Sequence, residues 1–209
     1  TRGCRFCQAG TITRPVRERP VEKIVDAAEA ILDNTGYEEL ALLSLSSADY
    51  SEIDRLLDAL LARFEGRNVS ISLPSLRIDT FSVDLADKLS RRGRRSGFTF
   101  APEAGTERLR SRINKDVTDE DLLTIAREVF SRGWRSIKLY FMIGLPGETD
   151  EDVEAIVDLT HQVRAIGQRV GGRRTYVRVS AGTFVPKPQT VFQWEPLTDR
   201  ETVERRQRI

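Results

Sequence analysis

The chain has 209 residues, of which 39% are hydrophobic and 31% charged, and its formal net charge is +1. That balance excludes a disordered chain and gives no general attraction to nucleic acid or a membrane. No apolar run nears the roughly 20 residues that span a bilayer, and no secretory pattern opens the sequence, so a cytoplasmic protein of one α/β domain is expected.

Taken in order, Cys4 and Cys7 come first, in "TRGCRFCQAG", followed by a Pro- and Arg-rich stretch from Thr11 to Pro20. "VEKIVDAAEAILDNTG" places Val21, Ile24, Val25, Ala28, Ile31 and Leu32 at helical spacing, with Asn34 and Gly36 suited to its end. "LALLSLSS" (Leu40 to Ser47) reads as a buried strand and "YSEIDRLLDALLARF" as an amphipathic helix. The unit then repeats. "VSISLPSLRI" precedes the helical "SVDLADKLSRRG", "GFTFAPEAG" precedes "TERLRSRI" and "DEDLLTIAREVFSRG", and "SIKLYFMIGLPGE" precedes "DEDVEAIVDLTHQVRAIG". "TYVRVSAGTFVP" comes last, before a polar tail. Strands alternating with helices predict a parallel α/β architecture.

The strands run out at their C-terminal ends into small, polar or Pro/Gly loops, such as Ser46 to Asp49, Pro102 to Gly105 and Gly144 to Glu148. In parallel α/β folds the site lies at those ends. The helices end instead in Arg/Gly turns that carry Arg91, Arg92, Arg94, Arg95, Arg173 and Arg174. Basic residues there complement helix dipoles; the competing reading is a face that docks another domain or RNA phosphates. Few aromatics interleave with them, so base stacking is not expected there.

Cys4 and Cys7 are the only cysteines. Alone, a Cys-x-x-Cys pair fits zinc, redox chemistry, an iron-sulfur site or simple packing. Zinc needs two further ligands, and the sole histidine, His161, stands in a predicted helix far along the chain. A thioredoxin-like pair should cap a helix after a strand, whereas Gln8-Ala9-Gly10 and the Pro/Arg stretch follow here.

The wider pattern resembles a known family. "GCRFCQAG" is similar to the end of the C-x-x-x-C-x-x-C motif of the radical S-adenosylmethionine (radical SAM) superfamily, whose first cysteine would fall one residue before Thr1. "FTFAPEAGTERLRSRINK" and "IKLYFMIGLPGETDEDV" resemble segments of the radical SAM methylthiotransferases. "SLSSADYSEIDRLL", "SLPSLRIDTFS" and "GTFVPKPQTVFQW" are most similar to the cobalamin-binding-domain radical SAM proteins, whose reaction is not settled.

The resemblance implies an incomplete (β/α)6 TIM-like barrel lacking its first strand, with residues 1–209 as a partial radical SAM core. It implies a 4Fe-4S cluster that takes Cys4 and Cys7 as two of its three thiolates and leaves one iron open for S-adenosylmethionine (SAM). Phe6 would pack beside cluster and adenine; Ser46 and Ser47 would stand at the methionyl amino group, where the family's acidic residue is lacking. Glu103 would bind the ribose hydroxyls, Lys115 the SAM carboxylate, and Ile143 and Gly144 would bring a backbone edge to adenine. A reductant such as flavodoxin or ferredoxin, an upstream cobalamin-binding domain and a downstream extension are expected partners. The implied reaction is reductive cleavage of SAM to a 5'-deoxyadenosyl radical that abstracts substrate hydrogen, for cobalamin-dependent methylation or a related modification. Two thiolates alone are expected to leave the 1–209 chain inactive. The alternative is a non-catalytic module that holds zinc through its cysteine pair or docks on RNA. Within the strands, Arg77, Lys138 and Tyr140 are polar groups without an assigned role, and Lys138, Tyr140 and Met142 share a face by alternation.

Overall fold

The computed structural model describes residues 2–73, 77, 78, 85, 88 and 97–209. They divide into two compact units: Arg17–Ser96, and a larger one of Thr1–Val16 with Gly97–Ile209. Among the described residues no helix is long and apolar enough to cross a membrane.

The larger unit begins with the cysteine pair, after which a four-residue helix α1 (Ala9–Ile12) forms where the sequence suggested only a loop. The smaller unit opens with α2 (Val21–Thr35), which buries Val21, Val25, Ala28 and Leu32 of the stripe expected from its spacing but leaves Ile31 exposed. Gly36 ends it in the left-handed conformation and donates to Leu32 O. Strand β1 (Glu39–Ala41), helix α3 (Ile53–Arg63) and strand β2 (Ser70–Ser72) follow, and β1 and β2 pair in parallel with Leu40 opposite Ile71.

The strand expected over Leu40 to Ser47 stops at Ala41, and a 3-10 turn occupies Ser47–Asp49. Serine hydroxyls cause the break. The Ser47 hydroxyl donates to Leu42 O at 2.9 Å, and Ser44 Oγ accepts the Ser46 N–H at 3.1 Å, local bonds that compete with a sheet ladder. The helix expected from Ser82 and the arginines at 91, 92, 94 and 95 lie largely outside the described residues, among which Leu85 and Lys88 are helical.

In the larger unit, β3 (Phe98–Glu103), β4 (Ser136–Ile143) and β5 (Tyr176–Thr183) form a parallel sheet in that order. The connections carry α4 (Glu107–Arg112) and α5 (Asp119–Ser131) between β3 and β4, and α6 (Asp150–Val170) between β4 and β5. Alternation along β4 buries Ile137, Leu139, Phe141 and Ile143 and leaves Lys138, Tyr140 and Met142 less covered. Each such burial contributes about 1.5–3 kcal/mol, so this one strand anchors the unit. Helix α6 packs on β4, β5 and α5. Thr118 and Asp121 cap α5 reciprocally, in the Thr-x-x-acid form. Gly105 lets the β3–α4 turn press on α6, because a Cβ there would stand 2.2 Å from Asp152 O. The stretch expected to be a polar tail instead forms α7 (Arg200–Arg206), whose Thr202 N–H is accepted by Asp199 at 2.8 Å.

Candidate functional site

The cysteine loop is held on the end of α4. A helix C-terminus leaves carbonyls without intrahelical partners, and Arg5 takes two of them. Its side chain donates to Arg112 O at 2.6 Å and its backbone N–H to Ile113 O at 3.0 Å. Asn114 Nδ2 donates to Gly3 O at 2.8 Å. On the other side, Phe192 N–H donates to Arg5 O at 3.2 Å and Gln8 Nε2 to Pro188 O at 3.2 Å. Cys4 and Cys7 form no disulfide and are half-buried in this loop. Cys7 Sγ accepts the Gly10 N–H at 3.3 Å, a bond supplied by the short helix α1.

Between the cysteines, Phe6 packs against a buried cluster of Ala104, Leu109, Ile113, Leu145, Phe184 and Phe192, which Met142 also joins. Ala104 follows the last residue of β3, Leu145 lies two beyond β4, and Phe184 comes directly after β5. The C-terminal ends of all three strands therefore converge under the aromatic ring of the cysteine loop.

Glu103 and Lys115 meet there. The β3–β4 register shifts between Phe100 and Glu103, and Glu103 itself adopts a left-handed backbone with φ 73°. Lys115 Nζ donates to Glu103 Oε1 at 2.9 Å, with both side chains largely buried. A non-glycine residue in that conformation is held against a steric cost. Asn114, with φ 58°, makes a second left-handed turn one residue before Lys115. Both ends of the ion pair are thus fixed by backbone, and the pair sits beside the residues that carry the cysteine loop.

Ile143 and Gly144 end β4. Ile143 is buried and its carbonyl accepts the Phe184 N–H at 2.8 Å. Gly144 has φ 88°, and its N–H donates to Glu148 Oε2 at 2.6 Å while its carbonyl accepts from Thr198 Oγ1 at 3.2 Å. The turn is clasped further by α7, because Arg206 reaches Glu148 at 2.8 Å and Asp150 at 3.0 Å. Burial pushes the Glu148 carboxyl above its ordinary value, opposed by the Gly144 N–H and Arg206. The neighbouring Asp152 feels the same pull from burial, yet bonds from Thr106 and Thr149 and the Arg108 charge outweigh it and hold its carboxyl below the usual value. Asp152 also accepts the Thr149 N–H at the start of α6.

Ser46 and Ser47 belong to the smaller unit. The Ser47 hydroxyl is spent on Leu42 O and Ser44 Oγ. Their carbonyls accept the N–H groups of Asp49 and Tyr50. The Ser46 hydroxyl is buried without a hydrogen-bond partner among the described residues, so it alone of the two retains capacity for a ligand.

Arg110 is fully buried and was not singled out in the sequence. It donates to Val117 O, Ala104 O and Gly105 O and pairs with Asp119, tying the end of β3 to the α4–α5 connection. Its helical phase, shared with Thr106 and Ile113 on the apolar side of α4, was the available signal.

Among the described residues no group of three or more His, Cys, Asp and Glu is placed to hold a metal. A structural zinc site needs four ligands, so the zinc reading of the pair is not favoured. Two thiols outside any disulfide, with the Gly10 N–H donating to Cys7 Sγ, suit iron-sulfur ligation, in which hydrogen bonds to sulfur tune the cluster. Residues 1–160 match the family model described as the radical SAM superfamily. The chain belongs to the radical SAM superfamily. It is 37% identical over 194 residues to the uncharacterized protein MJ0966 of Methanocaldococcus jannaschii, covering 93% of this chain and 40% of that protein. It is 25% identical to the ribosomal protein uS12 methylthiotransferase RimO of Treponema denticola, covering 78% of this chain and 40% of that one. A radical SAM methyltransferase, TsrM from Kitasatospora setae, solved with cobalamin and a [4Fe-4S] cluster bound, shares its fold with a TM-score of 0.67 at 19% identity, over 86% of this chain and 34% of that one. The chain therefore spans about two fifths of the length of these curated relatives.

Proposed function

We propose that this chain is the core of a radical SAM enzyme in which Cys4 and Cys7 are two ligands of a 4Fe-4S cluster. The observation that carries this reading is the convergence of three strand ends on Phe6, between the two thiols. When bound, the cluster supplies one electron to SAM, which yields methionine and the 5'-deoxyadenosyl radical that takes hydrogen from a substrate. The incomplete (β/α)6 barrel expected from the sequence is part of the same reading, supported by the likeness to TsrM.

The chain's own residues divide the remaining work. Phe6 and its buried cluster keep water from one side of the cysteine loop, which protects a reactive radical. Lys115 binds the SAM carboxylate, with Glu103 fixing the ammonium in place and offering its second oxygen to the ribose hydroxyls. Gly144, locked by Glu148 and Thr198, holds the end of β4 beside adenine together with Ile143. Within the smaller unit, Ser47 braces the turn that carries the Ser46 hydroxyl, which has no partner among the described residues. A flavodoxin or ferredoxin is the electron donor in the cytoplasm. Cobalamin held by a separate domain of a longer protein, and methylation or a related modification, fit the cobalamin found in TsrM.

The test is 5'-deoxyadenosine formation from SAM under dithionite, after anaerobic iron-sulfide loading of the chain preceded by the motif cysteine. The reading predicts product that is lost in Cys4→Ser and Cys7→Ser. Colourless protein with stoichiometric zinc would instead support the metal-binding module.

A further inference from the structure

The connection from α6 to β5 is pressed onto its own helix. Gly171 ends α6 by donating to Gly167 O, and Gly172 turns the chain with φ 83°. Thr175 then donates twice to Gly172 O, from its hydroxyl at 2.8 Å and from its N–H at 3.1 Å. A Cβ on Gly167 would stand 3.1 Å from Thr175 Oγ1, and one on Gly171 would stand 2.6 Å from Thr175 Cγ2, so the close approach depends on both glycines. The tight turn brings Arg173 to the face of α6 that carries His161, Arg164 and Gln168, which are spaced three and four residues apart. With Thr175 and Tyr176 they line one cavity of about 320 Å³.

No carboxylate lines this cavity. Among the described residues neither Arg164 nor Arg173 has a carboxylate within ion-pair distance, whereas Arg108, Arg127 and Arg206 do. The dipole of α6 does not account for them, because that effect falls off within the last turn, where Arg169 already stands. His161 and Arg164 precede that turn, and Arg173 lies beyond the helix. A concavity lined by one sign of charge focuses its field on a counter-ion. Two guanidiniums, each a planar fork of N–H donors, match a tetrahedral dianion. A carboxylate or a phosphodiester, with its single charge, would leave one of them uncompensated. The cavity is larger than a phosphate group and within the range of small-molecule pockets, which leaves room for an organic ester portion beside Tyr176.

We propose that the cavity between α6 and the start of β5 binds a small phosphomonoester, held by Arg164 and Arg173 with His161 and Gln168 as further N–H donors. Tyr176 opens β5 and Phe184 follows its last residue, about 25 Å further along at roughly 3.3 Å per residue. The ligand is therefore separate from anything bound at the cysteine loop, and its site does not rest on the radical SAM reading.

The experiment is a 1H–15N NMR titration of the whole chain with methyl phosphate at constant ionic strength and about pH 8, where the monoester is a dianion. Saturable shifts confined to residues 160–177 are expected, reversed by dilution and competed by inorganic phosphate but not by equal concentrations of dimethyl phosphate or acetate. Arg164→Gln and Arg173→Gln should each weaken binding about tenfold, the loss of one charge-assisted hydrogen bond, with resonances outside the cavity unmoved. Arg127→Gln, which removes an exposed arginine of α5 paired with Glu120, should leave the affinity unchanged. Shifts that do not saturate, shifts centred on Glu103 to Lys115 instead, equal competition by acetate or dimethyl phosphate, or undiminished binding in either cavity variant would overturn the proposal. The readout needs neither iron nor SAM, so its failure would remove this site alone and leave the enzyme reading to its own test.

Discussion

Lys115 Nζ lies 2.9 Å from Glu103 Oε1, joining the strained end of β3 to the turn that carries the cysteine loop. Removing one member of a buried pair leaves the other charge uncompensated, at a cost of about 3 kcal/mol or more. Lys115→Met should therefore destabilise the chain by about that amount in urea unfolding, and Glu103→Gln in the same background should recover much of it. Additive losses in the double variant would show that the pair is not coupled.

Gly144→Ala is expected to be costly for two separable reasons. A left-handed alanine costs roughly 1–2 kcal/mol, and its Cβ would stand 3.0 Å from Thr198 Oγ1. Adding Thr198→Ala removes the second obstacle and not the first, so denaturant midpoints should recover only in part. Full recovery would place the whole cost in the clash.

The raised Glu148 carboxyl has a definite pH signature. The native state binds more protons than the unfolded chain from the ordinary value of 4.5 up to the raised one, so stability falls as pH rises through that window. Asp121, Asp150, Asp152 and Asp199 are shifted downward, and their stabilisation is lost only as pH falls below the ordinary 3.8. Glu148→Gln should flatten the decline above 4.5 and leave the acid limb in place. Parallel pH profiles for the two proteins would count against this assignment.

Asn114 separates loop anchoring from backbone strain. Asn114→Gly keeps the left-handed turn and loses the bond to Gly3, a loss of about 1 kcal/mol, whereas Asn114→Ala loses the bond and strains the turn. Amide hydrogen exchange at Gly3 to Cys7 should quicken in both, more in the alanine variant. Unchanged exchange in both would mean that the Arg5, Gln8 and Phe192 bonds hold the loop without Asn114.

Much of this was legible from residue spacing. The helices α2, α5 and α6 and the alternation of β4 follow from helical and strand periods that the packing reinforces. The cysteine loop lies at the C-terminal ends of the strands of the larger unit, the end at which the strand-end loops led the site to be expected. The pairing of Lys115 with Glu103 was not legible, because it depends on a bulge and a left-handed residue that only the assembled sheet imposes. Strand β1 was overextended because Leu43 and Leu45 look like core but are exposed once the serines turn the chain. Helix α7 was missed because its hold comes from Arg205 and Arg206 reaching back to Glu148 and Asp150, a long-range contact without a local apolar stripe.

The central claim, that Cys4 and Cys7 hold a cluster to which SAM binds, is tested most directly by low-temperature EPR of the chain preceded by the motif cysteine, iron-loaded and dithionite-reduced, before and after addition of SAM. The account predicts a 4Fe-4S signal with roughly four irons per chain, changed in shape by SAM and absent in Cys4→Ser and Cys7→Ser. A signal that persists in either serine variant, or one that SAM leaves unaltered, would contradict it.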